Sequence, residues 1–274
     1  MQTKPHSPER RSPWLFFLIT FALSVPLWII GPKLGGRLPV SFNLPVSALQ
    51  LINPLIAALI LTPTARGKKA LLKRAFDAKK IKDKRWYAPI LLLNPLIMVL
   101  SYAVMRIARI PLPEPRISII AVAVFFVVFF FTSIAEELGW MGYAYDPLED
   151  RWGTMKASLI LGLAWAALHL IPDTQLDHSA GWIAAHRVGT VANRILIVWL
   201  YKNTGGSVLS SVLYHDMLNI GWAFFPNDGS HYNPFVTTGL TLAAVIIVLL
   251  GWGTKTMTRQ RLTHEGPKQH PMHG

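Results

Sequence analysis

Two adjacent carboxylates, Glu136 and Glu137, close a run of nineteen consecutive uncharged residues, Ile117 to Ala135, that has the length and composition of a membrane span. An ionised carboxylate inside hydrocarbon costs several kcal/mol, so a chain that keeps two side by side compensates them, protonates one or uses them. Other apolar segments carry polar groups of their own. Trp165 and His169 stand four residues apart, on one face of a helix, and His215 and Asn219 repeat that spacing. A further segment holds His186, Arg187, Asn193 and Arg194. Taken singly, each has a structural reading: a His bonded to a neighbouring helix, His215 and Asn219 as interhelical glue, Trp165 as packing. The Glu pair also suits proton or cation coupling in a carrier.

The elements that must hold these groups are membrane helices. The chain has 274 residues, is 52% hydrophobic and contains 10 Trp, which is too apolar for an ordinary soluble domain. Apolar runs of spanning length fall at 14–31, 45–62, 87–105, 117–144, 157–171, 182–200, 207–225 and 236–253. The expected fold is all-α, a polytopic integral membrane bundle of about eight transmembrane helices. The fifth run is short for a span, and the fourth is long enough to tilt or project. No internal repeat is evident, so the parse is a basic N-terminal segment at 1–13, one transmembrane domain at 14–253 and a disordered tail at 254–274. The first apolar run lacks a clear small-x-small cleavage site and reads as a retained anchor.

Charge orients this bundle. Of the 27 Lys and Arg, ten lie between Arg66 and Arg85, and placing both termini in the cytoplasm puts 20 of the 27 inside. The formal net charge of +13 is therefore topological, as in a multi-pass protein of a bacterial-type plasma membrane, and no nucleic-acid partner is expected. Lys68 to Trp86 carries Leu71, Leu72, Ala75, Phe76 and Ala78 at helical spacing among its basic residues. It is expected to lie along the inner surface as an amphipathic helix, against anionic membrane lipids or a docking partner. The absence of Cys excludes disulfides, thiolate chemistry and cysteine metal ligation.

Depth joins the polar groups. Counted from the basic end of each span at 1.5 Å per residue, Glu136 lies about 14 Å in, His215 about 13 Å and His169 about 20 Å. One cavity can hold all three.

In order along residues 117–225, the pattern Glu-Glu-x-x-x-x-Gly, aromatic-x-x-x-His and His-x-x-x-Asn resembles the CPBP family of intramembrane proteases, which includes the type II CAAX prenyl endopeptidases and relatives linked to bacteriocin processing and self-immunity. The resemblance implies an endopeptidase acting on a membrane-associated peptide or protein, prenylated CAAX-type or leader-type. It implies that Glu136 activates water, that Glu137 supports it, and that His169, His215 and Asn219 complete the site, with Trp165 and Trp140 in substrate-binding or supporting positions. Peptide hydrolysis needs a nucleophilic water, donors for the oxyanion and a proton for the leaving amine, and this set can supply them. Two forms stay open: direct polarisation of water by Glu and His, or a divalent ion such as zinc held by Glu136, His169 and His215. No His-Glu-x-x-His is present.

One departure stands out. The family pattern carries Arg four residues after the second Glu, and here that residue is Met141. Arg194 is the candidate replacement counter-ion, with snorkelling to the interface as its alternative. The missing cation also keeps a non-catalytic binding or immunity protein, or a small-molecule or ion carrier, in view.

Overall fold

The computed structural model describes residues 11–34, 36–38, 44–227 and 229–259; most of the N-terminal segment and of the tail lie outside these. Beyond one isolated bridge between Arg37 and Pro45, the described residues contain no strand. The fold is the expected all-α membrane bundle.

Local chemistry sets most helix starts. Helix α1 (Pro13–Ile30) begins with Ser12 accepting from the Leu15 amide and Pro at its first turn. A 3-10 stretch (Val46–Ile52) leads into the short α2 (Asn53–Ile60). Helix α3 (Ala65–Lys73) is capped by Thr64, and α4 (Tyr87–Ile107) crosses the bundle. Ser118 caps α5 (Ile119–Gly139), which runs through a π-helical turn (Trp140–Ala144) into α6 (Tyr145–Trp152). Gly153, at φ 76°, separates α6 from α7 (Thr154–Thr174). Ser179 caps α8 (Ala180–Asn203), Ser207 caps α9 (Val208–Phe224) and Asn233 caps α10 (Pro234–Trp252).

Among the described residues five helices are long and apolar enough to cross a membrane: Pro13–Leu34, Lys84–Ile107, Ile119–Trp152, Thr154–Thr174 and Pro234–Trp252. They present apolar faces outward, with Ile119 at 85% and Leu250 at 83% exposure, as lipid-facing positions require. The expected count of eight is not confirmed. The eight residues of α2 rise only about 12 Å, α9 has 17 residues, and α8 is interrupted by Arg187 and Arg194. Within the bundle α8 packs on α7 and α10, α9 on α4 and α5, and α2 on α5 and α1.

Two other expectations need revision. The fifth run is not short: α7 spans 21 residues, because its polar ends at Thr154 and Asp173–Thr174 also take helical form. The segment 68–86 is not one amphipathic helix. After Lys73 it proceeds as separate 3-10 turns (Arg74–Phe76, Ala78–Lys80 and Lys84–Trp86). The break falls at Asp77, whose carboxylate accepts from Ser207 Oγ (2.7 Å) and from the Val208 and Leu209 amides (3.2 and 3.1 Å). A carboxylate at the orphan donors of the α9 N-terminus outweighs continuation of the local helix.

Close packing seats the Glu pair. A Cβ on Gly139 would lie 2.6 Å from the Pro54 backbone, so α5 meets α2 at a point with no room for a side chain. Gly139→Ala is expected to lower stability by about 2 kcal/mol or more, since backbone must move rather than a flexible side chain. A thermal melt in detergent, compared with an exposed control such as Gly251→Ala, checks this.

Candidate active site

Adjacent residues on a helix point about 100° apart, so Glu136 and Glu137 face different partners. Glu137 is fully buried and held on both oxygens. Arg194 Nη1 donates to Oε2 at 2.8 Å and to Oε1 at 3.1 Å, and His215 Nδ1 lies 2.8 Å from Oε1. The Arg194 guanidinium also lies over the Trp165 ring, 4.2 Å from its centroid. This Arg is fully buried against a carboxylate and does not snorkel.

Glu136 is held differently. Its Oε2 accepts from Trp165 Nε1 at 2.8 Å and from Trp140 Nε1 at 3.4 Å. Its Oε1 faces His215 Nε2 across 3.8 Å, too far for a direct hydrogen bond. The two indole donors thus fix one oxygen and leave the other directed at the imidazole. Trp140 itself is fully buried against Phe16 and Phe17, which makes it a support for Glu136 and places no substrate on it.

His169 joins through Trp165. Its ring stands edge-on to the indole at 5.8 Å, and its Nδ1 lies 2.8 Å from the Trp165 carbonyl. A carbonyl only accepts, so Nδ1 carries the proton and Nε2 is the remaining nitrogen. Asn219 is one turn removed: its Nδ2 donates to Ser133 Oγ at 3.4 Å and not to either Glu. The structure therefore brings Glu136, Glu137, His215, Trp165, Trp140 and Arg194 into one cluster, with His169 adjoining and Asn219 beside it on α9. Among the described residues no group of three or more His, Cys, Asp or Glu is arranged to hold a metal ion. The trio Glu136, His169 and His215 does not fit zinc as placed, and no step is derived through it.

Two features around the site escaped sequence reasoning. The first is a clamp on the π-turn that follows the Glu pair. A π-turn breaks the regular helical pairing, and Arg11 Nη1 donates to the Gly142 and Tyr143 carbonyls at 3.1 and 3.2 Å. Arg74 also donates to Gly142 and, through Nη2, to Tyr201 Oη at 2.6 Å. Tyr201 in turn donates to Asp146 at 2.8 Å, and both arginines pair with that carboxylate. These donors come from elements far away in the chain, and no local motif announces them.

The second is Asp216, fully buried next to His215 with neither carboxylate oxygen hydrogen-bonded. A buried acid without a donor is a stability defect. Asp216→Asn is expected to raise the melting temperature or leave it unchanged, which a thermal melt in the same detergent measures.

A membrane bundle of helices that gathers carboxylates, imidazoles and indole donors within its interior has the groups an intramembrane hydrolase needs, and comparison with known proteins makes the class a protease. Residues 118–221 match the family of type II CAAX prenyl endopeptidases described as Rce1-like. Over 236 residues the chain is 25% identical to the CAAX prenyl protease 2 of Methanococcus maripaludis, covering 78% of this chain and 85% of that protein. Both comparisons agree with the resemblance read from the three motifs: the stretch that carries the Glu pair, His169 and His215 is similar to the type II CAAX prenyl endopeptidases, and the protein is an integral membrane protease.

Proposed function

We propose that Glu136 activates the water that hydrolyses a peptide bond near the end of a membrane-associated, prenylated CAAX-type substrate. The observation that carries this reading is the gap between Glu136 Oε1 and His215 Nε2, 3.8 Å wide, with the other three oxygens of the Glu pair all engaged. A water bonded to both atoms loses its proton to Glu136 as it attacks the scissile carbonyl. Glu136 then returns that proton to the departing amine, so the carboxylate ends the cycle as it began. His215 is held at Nδ1 by Glu137, which orients its other nitrogen toward the water. Asn219 keeps a second amide hydrogen for the developing oxyanion, and His169, whose free Nε2 accepts, receives a hydrogen bond from the substrate amide or the departing amine. Arg194 offsets the charge of Glu137, so that one carboxylate is compensated and the other acts.

The substrate class follows from chemistry and likeness together. The relative is named a CAAX prenyl protease, and a C-terminal Cys-a-a-X end with a lipidated Cys is a membrane-anchored peptide that suits a site inside the bilayer. Cleavage after the lipidated Cys removes three residues. Arg11, Arg74 and the basic stretch 66–85 mark the end of the bundle that faces the cytoplasm and its anionic lipids.

The test uses purified protein in detergent with a quenched, farnesylated CAAX peptide and with a leader-type peptide of similar hydropathy, comparing wild type, Glu136→Ala and His215→Ala, each with and without chelator. Turnover of the farnesylated peptide lost in both variants and insensitive to chelator supports the reading. Turnover that survives Glu136→Ala overturns it. Loss with chelator moves the water to a metal, and preference for the leader peptide moves the substrate class.

A further inference from the structure

A second polar cluster lies at the far end of α8 from the basic clamp. Arg187 is 8% exposed, and its guanidinium is steered by Asp173, with Nε 2.9 Å from Oδ2 and Nη2 3.4 Å from Oδ1. Nη2 also lies 2.6 Å from His186 Nδ1. An arginine only donates, so His186 accepts at Nδ1 and a neutral imidazole carries its proton on Nε2. Arg187 Nη1 and His186 Nε2 have no hydrogen-bond partner among the described residues. Trp182 and Tyr232 flank the imidazole at 4.7 and 5.5 Å. Two donors, one of them cationic, thus remain without a protein partner, the imidazole donor on a ring flanked by aromatic side chains. Solvation of a surface ion pair does not account for them, since Arg187 and Asp173 are both buried.

Spacing relates this cluster to the Glu pair. Arg187 and Arg194 are seven residues apart on α8, hence on one face and about 10.5 Å apart along the axis. Arg194 sits on Glu137, and His169 stands one turn before Asp173 on α7, so polar groups run from the Glu pair to Arg187. An extended peptide covers about 10 Å in three residues. That is the length of the fragment released from a CAAX end.

We infer that Arg187 and His186 form the subsite for the free C-terminal carboxylate of the substrate. The inference rests on the CAAX reading proposed above. A substrate anchored at the basic end and cut at Glu136 directs its last three residues toward Arg187. The two aliphatic residues then lie along the helices, and the terminal carboxylate meets Arg187 Nη1 and His186 Nε2. Asp173 aligns the guanidinium as a fixed fork, as second carboxylates commonly do for a binding Arg. The subsite makes the enzyme a reader of chain ends: an amide or an extended chain at the same position leaves a buried cation facing a group it cannot pair with.

The experiment compares a farnesylated CAAX peptide ending in a free acid with the same peptide ending in a primary amide, using purified wild type, Arg187→Gln, Arg187→Lys and His186→Gln in detergent. Wild type is expected to favour the acid in kcat/KM by about 30-fold or more. In Arg187→Gln the acid-to-amide ratio falls toward one, chiefly through KM for the acid, and Arg187→Lys recovers part of it. His186→Gln shifts the same ratio less, and it serves as the readout if Arg187→Gln does not fold. An acid-to-amide ratio near one in wild type, or a ratio that Arg187→Gln or His186→Gln leaves intact, overturns the subsite while the endopeptidase reading stands. Failure of wild type to cleave either peptide overturns the CAAX reading and the subsite with it.

Discussion

Glu136→Gln is expected to lower kcat by about a thousandfold or more while leaving the fold and KM within a few-fold of wild type. The amide is nearly isosteric with the carboxylate, and its oxygen still accepts from Trp165 Nε1 and Trp140 Nε1, so the packing of α5 against α7 has no reason to change. What disappears is the basic oxygen facing His215 Nε2. An amide cannot take a proton from water, and the neighbouring carboxylate of the pair is not free to do so. Glu137 is engaged with Arg194 and His215 on both oxygens. His215→Ala should cost a comparable factor, and Glu136→Gln with His215→Ala together should cost little more than either alone, because two groups acting on one water are not additive. Single-turnover rates on a farnesylated peptide, with a thermal melt as the folding control, measure both statements. A double variant whose loss equals the product of the singles would show that the two side chains act on different steps.

How much of this was legible in the chain depends on what kind of interaction places each residue. Glu136, Glu137, His169 and His215 announced themselves because hydrocarbon makes polar side chains conspicuous, and because a spacing of four on a helix survives folding unchanged. The lipid-facing helices were legible for the same reason: apolar runs of spanning length have few alternatives. Arg194 was legible only as a charge in need of a partner. Its contact with Glu137 closes 57 positions of sequence, and nothing local predicts which acid it meets.

The opposite case is the segment 68–86. Its helical periodicity is real, and Leu71 and Ala75 are buried as the pattern requires. The segment nevertheless breaks at Asp77, because that carboxylate caps a helix that begins 131 residues later. The π-turn at Trp140–Ala144 is similar, since the donors that satisfy it come from Arg11 and Arg74. Asn219 marks a further limit. Its spacing from His215 puts both on one face of α9, yet the amide reaches Ser133 while the imidazole reaches Glu137, because the two sit at different heights along α5.

The second large effect belongs to Arg194. Arg194→Leu leaves Glu137 buried with its closest cation removed, and removal of one partner from a buried pair costs about 3–5 kcal/mol. The variant is expected to lose most of its folded, detergent-extractable population. A specific rescue is expected: Glu137→Gln in the Arg194→Leu background removes the uncompensated charge and should restore much of the stability, while His215 keeps a partner in the amide oxygen. Activity in that double variant should stay low, because a neutral amide holds the His215 imidazole less firmly than a carboxylate does. A second rescue separates charge from position. Arg in place of Met141 stands four residues after Glu137, in the π-turn that follows α5, where the resembled family pattern has its cation, and Met141 is fully buried. If the site needs only a positive charge on Glu137, Met141→Arg with Arg194→Leu recovers both folding and turnover. If it also needs the Arg194 guanidinium stacked on Trp165, which aligns the indole that holds Glu136, the same double variant folds and turns over slowly. The stacking makes the second outcome the expected one, because a cation placed at 141 in the π-turn does not reproduce the approach of the α8 guanidinium to the Trp165 ring.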